Sequence, residues 1–470
     1  MSVRVSGLWL GIAAATAAAM GCGDSGKVKE SSASGGEGGG GRSALVAKID
    51  AIVNAPITDG KIAGASIAVI KGRDTIAIKA YGKADLELDV PTPPHATYEI
   101  GSVTKQFTAA SILLLQEQGK LSLDDDITKY FPKFPTHGNK VTVRHLLNHT
   151  SGIKGYTEMP SFRLIGLQTL PQDTLIALVA REPFDFKTGD EEIYNNSAFF
   201  MAGKIIEKVS GMSYADFVEK NLFAKAGMKD SYYCSEKTIH KNHAHGYDSD
   251  STGLVIKGFL VQLWPYAAGS LCSSAADLAA WNQALHGGKI LSPDSYKAMT
   301  TRSKLNDGSE IGYGLGIALV DIDGRRAIHH GGGINGFLSE SEYYPDDSLI
   351  VVVLQNSAGP VGPSDLTHKI AEAVLGKGPD KSKAFTGSLA DYAGTYKGTG
   401  RGRASEITIE PAGNVLTSKS ARGPKPDTLT FVGDDTFASG GMLMRFDRSG
   451  GKITGMRLDG GYGYNKLKKQ

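Results

Sequence analysis

A serine and a lysine stand three residues apart in the segment Glu99-Ile-Gly-Ser102-Val-Thr-Lys105-Gln-Phe-Thr. At the start of a helix that spacing puts both side chains on one face, so the Lys105 amine can reach the Ser102 hydroxyl. A serine hydroxyl is a weak nucleophile at neutral pH, and a lysine held among apolar or cationic groups can lose its proton and accept another. The pair could therefore carry acyl transfer through a Ser102 ester. Taken by itself the pattern is weak. Ser-x-x-Lys falls by chance about once or twice in a chain this long, and a serine helix cap beside an exposed lysine has the same letters. Other chemistries have less to offer. No His, Cys and carboxylate cluster has metal-ligand spacing, no Gly-Lys-Ser/Thr phosphate loop occurs, no dinucleotide glycine fingerprint follows a strand, and Gly-x-Ser-x-Gly is missing. No cofactor is expected.

The elements that must position the pair follow from hydrophobic spacing. An amphipathic helix is predicted over 42–54, then a hairpin of two β-rich runs, 64–70 and 75–81, about Lys71-Gly72-Arg73-Asp74. A long helix runs from Ser102 to Gln118 and stops at Gly119; Ile112 to Leu115 leave it little polar face, so most of it should be buried. Further helices are predicted over 197–210 and 275–285. Strands at 313–320, 337–344 and 349–354 precede a helix over 366–375. Strands at both ends with helices between them imply an α/β architecture whose first and last strands meet. Residues 376–387 are rich in Gly, Lys, Pro and Ser. Beyond them only short strands and turns are expected, such as 407–410, 429–432 and 442–446, making a small all-β module in which no chemistry is visible; a barrel is one form it could take.

Context raises the value of Ser102. The words Thr97-Tyr-Glu-Ile-Gly-Ser102-Val-Thr-Lys105, Gly119-Lys-Leu-Ser-Leu-Asp-Asp125 and Leu146-Leu-Asn-His149-Thr-Ser-Gly152 come in succession. Together they resemble landmarks of the serine beta-lactamase-related hydrolases, a family of class C beta-lactamases, DD-peptidases, D-aminopeptidases and esterases. The resemblance runs from Ala44 to Leu375. It implies a beta-lactamase/transpeptidase-like fold, an antiparallel sheet flanked by helices plus a helical region, here with a small C-terminal all-β domain. It also implies roles. Tyr194, in Tyr194-Asn195-Asn196, is the expected partner base, its proton affinity lowered by Lys105. Asn196 would hold the substrate or Lys105 by its amide, or else cap the following helix.

The third family element is Lys-Thr-Gly or a variant on the strand lining the pocket, and His330-Gly331-Gly332-Gly333-Ile-Asn-Gly-Phe337 resembles its His-x-Gly form. His330 would take the cation or hydrogen-bond donor position, with His329 as the alternative register. Gly331, Gly332 and Gly333 would let a substrate carbonyl approach the strand, and the Ser102 and Gly333 amides would form the oxyanion hole. His149 is expected to be structural. A histidine mostly neutral at pH 7 holds a carboxylate less firmly than lysine does. An esterase or peptidase acting on less acidic substrates is therefore expected, with a beta-lactamase or DD-carboxypeptidase, or a penicillin-binding or sensor lipoprotein without turnover, as alternatives.

The chain of 470 residues has 51 basic and 49 acidic side chains, so net charge offers no reason to expect nucleic acid. The partner is expected to be a small-molecule or peptide substrate. Arg4 followed by the apolar run Leu8 to Met20 reads as an export signal ending in Ala19-Met-Gly-Cys22, similar to a bacterial lipobox, so residues 1–22 would be a signal and Cys22 a lipid anchor. Residues 23–43, rich in Gly and Ser, would be a tether from the membrane of a bacterial envelope. The hydrolase domain is then expected at 44–376, a linker at 377–387 and the β module at 388–470, which could bind envelope material or another protein. In an exported chain Cys234 and Cys272 can keep a disulfide; two small buried hydrophobes are the other reading.

Overall fold

Every residue from Leu349 to Gln355 is buried, although a strand shows its side chains alternately to two faces. The run needs cover on both sides, and it has it. Val352 and Leu354 pack into the larger core with Phe107, Ile112 and Trp281. Val351 and Val353 pack the other way, against Ile49 and Val53 of helix Gly38–Thr58 and Leu366 and Ile370 of helix Pro363–Leu375. This strand is central to an antiparallel sheet of seven, in the order 318–322, 325–334, 337–344, 349–355, 64–71, 74–85, 90–91. The computed structural model describes residues 38–400, 403–420, 426–439 and 441–470.

The first and last strands of the sheet's sequence do meet, from Ala65 opposite Gln355 to Lys71 opposite Leu349. The hairpin about Lys71 to Asp74 is present, with strands Gly64–Lys71 and Asp74–Asp85. The long helix begins as a short 3-10 turn, Gly101–Val103, and continues as Thr104–Glu117, buried from Thr104 to Leu115. Helices Asn196–Ser210 and Ala275–His286 lie close to their expected spans.

Some boundaries differ. The strand expected from Tyr313 starts only at Ala318, because Gly314 N–H bonds back to Ile317 O and Gly316 N–H to Leu147 O, which makes 313–317 a turn. The first helix opens at Gly38, inside the stretch expected to be tether. The signal, Cys22 and most of that tether lie outside the described residues. Cys234 and Cys272 form a disulfide with Cα atoms 5.3 Å apart, joining the short strands Tyr232–Tyr233 and Leu271–Ser273.

After Gly387 eight antiparallel strands follow, and the first, Gly394–Gly400, pairs with the last, Gly463–Lys469, which closes a barrel. Tyr396, Ile409, Leu416, Phe437 and Met456 fill it. Arg42 to Gln470 nonetheless form one compact unit. The 377–387 segment is packed: Lys383 N–H bonds to Phe431 O, and Phe385 lies against Phe431 and Phe437. The last strand also pairs outside the barrel, with Glu192–Ile193 of the hydrolase part, Gly463 opposite Ile193 and Tyr464 opposite Glu192.

Candidate active site

Gly101 turns the chain with φ +49°, a left-handed conformation that suits glycine. A Cβ there would stand 2.9 Å from Gly333 N, so the turn carrying Ser102 lies flat on strand Arg325–Ile334. Lys105, in the first turn of the following helix, is completely buried. Its Nζ donates to Ser102 Oγ at 3.1 Å, Asn196 Oδ1 at 2.8 Å and Ala268 O at 2.8 Å. The same nitrogen lies 4.7 Å from the centroid of the Tyr194 ring and 5.4 Å from that of Phe199. Burial of a cation demands such partners. The structure thus brings Ser102, Lys105, Tyr194 and Asn196 together.

Asn196 holds Lys105 and donates its own amide to Thr157 Oγ1 at 3.3 Å. The helix cap falls to its neighbour: Asn195 Oδ1 accepts from Ala198 N–H at 2.9 Å. Tyr194 is braced from behind by His149, whose ring lies 4.3 Å away between centroids. His149 O accepts from Ile193 N–H at 3.1 Å and His149 Nδ1 from Asn195 N–H at 3.0 Å. One buried histidine thereby grips the residues on both sides of Tyr194. Its structural reading is thus sharpened into a positioning one.

His330, not His329, faces this cluster. Its ring is 6.1 Å from Tyr194, whereas His329 Nδ1 pairs with Glu340 Oε1 at 3.0 Å. Both nitrogens of His330 are taken. Nδ1 donates to Gly331 O at 2.6 Å, and Nε2 accepts from the Tyr313 hydroxyl at 2.9 Å. Burial, and then the Lys105 charge, hold its pKa well below the ordinary imidazole value. It is a neutral, committed side chain and fits the expected cation position poorly. The glycines divide their work as well. A Cβ on Gly332 would meet Ile100 O at 2.1 Å and Ser339 Oγ at 2.3 Å, so this glycine serves the seating of the Ser102 turn, not a substrate. A Cβ on Gly331 would meet Glu340 Oε2 at 2.8 Å and the Tyr462 hydroxyl at 3.6 Å, and of the three only Gly333 keeps an open outer side, with Leu338 at 3.4 Å.

Tyr462 is the residue sequence reasoning missed. It sits at the hairpin tip of the C-terminal barrel, where no chemistry was expected, and its ring is 5.1 Å from His330 and 5.9 Å from Tyr194. Gly331 N–H donates to its hydroxyl at 2.6 Å. A tyrosine among glycines, Gly460-Gly-Tyr462-Gly463, is the only mark it leaves in the sequence. The loops 155–170 and 240–263 join the other end of the site. Thr157 touches Asn196, as above, and Gly258 O accepts from Asn335 Nδ2 at 2.9 Å. Elsewhere, Asp85, Glu87 and His245 bring one ligand atom each within 4.8 Å of one another, a grouping common among surface acids and apart from the serine chemistry.

The model of the Beta-lactamase family matches residues 49–375. The chain belongs to this family. Penicillin-binding protein 4* of Bacillus subtilis is 28% identical over 370 residues, covering 73% of this chain and 81% of that protein. The D-aminopeptidase of Brucella anthropi is 27% identical over 393 residues, 82% of this chain and 72% of its own. A D-stereospecific amidohydrolase from Streptomyces superposes with a TM-score of 0.60 at 28% identity, over 70% of this chain and 98% of that one. The protein is a serine hydrolase of this family, with the beta-lactamase/transpeptidase-like fold.

Proposed function

We propose that the protein is an exported, lipid-anchored amidase or peptidase, also able to cleave esters, that works through a Ser102 acyl-enzyme. The observation that carries this reading is the Lys105 amine, held between Ser102 Oγ and Asn196 Oδ1 beneath the Tyr194 ring. Ser102 Oγ attacks the substrate carbonyl while its proton passes to the Lys105–Tyr194 pair. The Ser102 and Gly333 amides hold the oxyanion. The tetrahedral adduct collapses, the carbon–nitrogen or carbon–oxygen bond breaks, and the leaving group departs with the proton. Water then attacks the ester, releases the acid and returns the proton to Ser102.

The neutral, fully bonded His330 favours substrates without a carboxylate at the position where lysine-bearing relatives carry a cation. The relatives named for D-amino acid chemistry favour a D-configured amino-acid amide or short peptide as donor. Export accords with the disulfide, which persists in oxidising compartments. Among the described residues no helix is long and apolar enough to cross a membrane.

A fluorophosphonate should label the wild-type protein and not Ser102→Ala, and D-phenylalaninamide should be turned over far faster than nitrocefin. Equal labelling of Ser102→Ala would remove Ser102 from the mechanism. Faster turnover of nitrocefin would make the protein a beta-lactamase. Radiolabelled palmitate should enter the full chain and not Cys22→Ala.

A further inference from the structure

Strand Arg325–Ile334 pairs with Phe337–Tyr344 through a two-residue turn, Ile334 opposite Phe337. Hydrogen-bonded and open pairs alternate along such a hairpin, so Gly333 N–H and Gly331 N–H both point away from the partner strand. Gly333 is the oxyanion donor in the reading above, on which the present inference rests. Gly331 is the next outward donor along the same edge, about 7 Å further on. A substrate running along this edge would want that amide. Tyr462 already has it, at 2.6 Å.

Which end of the substrate meets Tyr462 follows from the proton. The leaving group must collect its proton from the Lys105–Tyr194 pair, so it leaves on the side of Tyr194. Tyr462, His330 and Tyr313 converge there, the Tyr462 ring lying 5.9, 5.1 and 6.3 Å from the Tyr194, His330 and Tyr313 rings. All three of these converging groups are neutral at pH 7, because burial lowers the imidazole and raises both phenols. The tip is pinned. Asp459 Oδ1 accepts from Gly461 N–H at 3.3 Å and from Gly312 N–H at 3.2 Å, which ties the turn to the hydrolase part.

We propose that Tyr462 is a specificity-determining residue that closes the leaving-group side of the site, so that the enzyme releases only small leaving groups such as ammonia or a short amine or alcohol. The barrel then sets the substrate range of a serine centre whose reacting groups all come from the rest of the chain.

The test fixes the acyl group and varies the leaving group: trifluoroethyl acetate against biphenylyl acetate, each rate divided by that of the same ester with hydroxide. Wild type should favour the small ester by about tenfold or more, and Tyr462→Gly should bring the two within about threefold by gaining on the large one. Tyr462→Phe keeps the ring and should keep the preference. Tyr462→Ser reads the same ratio if the glycine variant does not fold, judged by circular dichroism. A folded Tyr462→Gly or Tyr462→Ser protein with the wild-type ratio overturns the proposal, as does a wild type without preference. Absence of any acetyl adduct on wild-type Ser102 by mass spectrometry overturns the Ser102 reading instead.

Discussion

From complete burial Lys105 donates to Ser102, Asn196 and Ala268, and these partners differ in task. In the proposed mechanism Ser102 Oγ is the atom to be activated, while Asn196 and the Ala268 carbonyl hold the amine. Lys105→Met should lower kcat/KM by about a thousandfold or more, whereas Asn196→Ala, which leaves the amine but loosens it, should cost about ten- to a hundredfold. Stopped-flow acylation rates distinguish the two, and equal losses would place Asn196 on the substrate. His149 lies one step further out. His149→Leu removes the acceptor of Asn195 N–H and should lower kcat more than it raises KM, while His149→Asn, which offers an acceptor again, should recover part of the rate.

The glycine strand and the Ser102 turn touch through backbone, which makes the contact intolerant of added atoms. Gly332→Ala drives a methyl toward Ile100 O and should cost roughly 2–3 kcal/mol together with activity, since the Ser102 turn is the part that must yield. Thermal melts and acylation measured on the same sample check both halves. The disulfide closes a separation of 38 residues, and Cys272 stands opposite Glu99 in the strand leading to Ser102. Replacing both cysteines by serine should cost about 4 kcal/mol on the loop-entropy estimate. A loss under 1 kcal/mol in urea denaturation would show that packing alone holds these strands.

At the scale of the whole molecule the barrel and the hydrolase part share Glu192, Asp459 and Tyr462. Both Glu192 oxygens are buried without a hydrogen-bond partner among the described residues. Burial first, and Asp459 second, push its pKa well above the usual carboxylate value. The folded state therefore keeps a proton that the unfolded chain loses above about pH 4.5. The associated stability is fully present below that pH and drains away as pH rises toward the folded value. Glu192→Gln should accordingly be more stable than wild type at pH 8, with the difference shrinking toward pH 5, as read by melting temperature. Removing the chain beyond Lys383 takes away the strand paired with Glu192–Ile193, next to Tyr194. Because that strand backs Tyr194, turnover should be lost along with the module; a folded truncation that still acylates and has lost the preference for the small ester would confine the barrel to leaving-group selection, and one that keeps the wild-type ratio would assign it to docking.

Chemistry written in short local patterns was legible from residue types. Ser102 and Lys105 share a helix face by spacing, Tyr194 to Asn196 sit at a helix start, and the buried run Ile112 to Leu115 announces the core helix behind them. Contacts between distant segments were not legible, because no local pattern encodes them. That His330 is spent on Gly331 and Tyr313, that Gly332 makes room for Ile100, that Asn195 takes the cap and that His149 grips Tyr194 all depend on which strand lies against which turn. Tyr462 is the extreme case: it lies 131 residues from the amide it occupies, and only closure of the barrel on the hydrolase sheet puts it there. Sequence alone determined that Ser102 and Lys105 share one helix face, since helical spacing is local, and the family resemblance supplied their expected roles; tertiary structure decided what surrounds them, because burial and proximity belong to the packed chain.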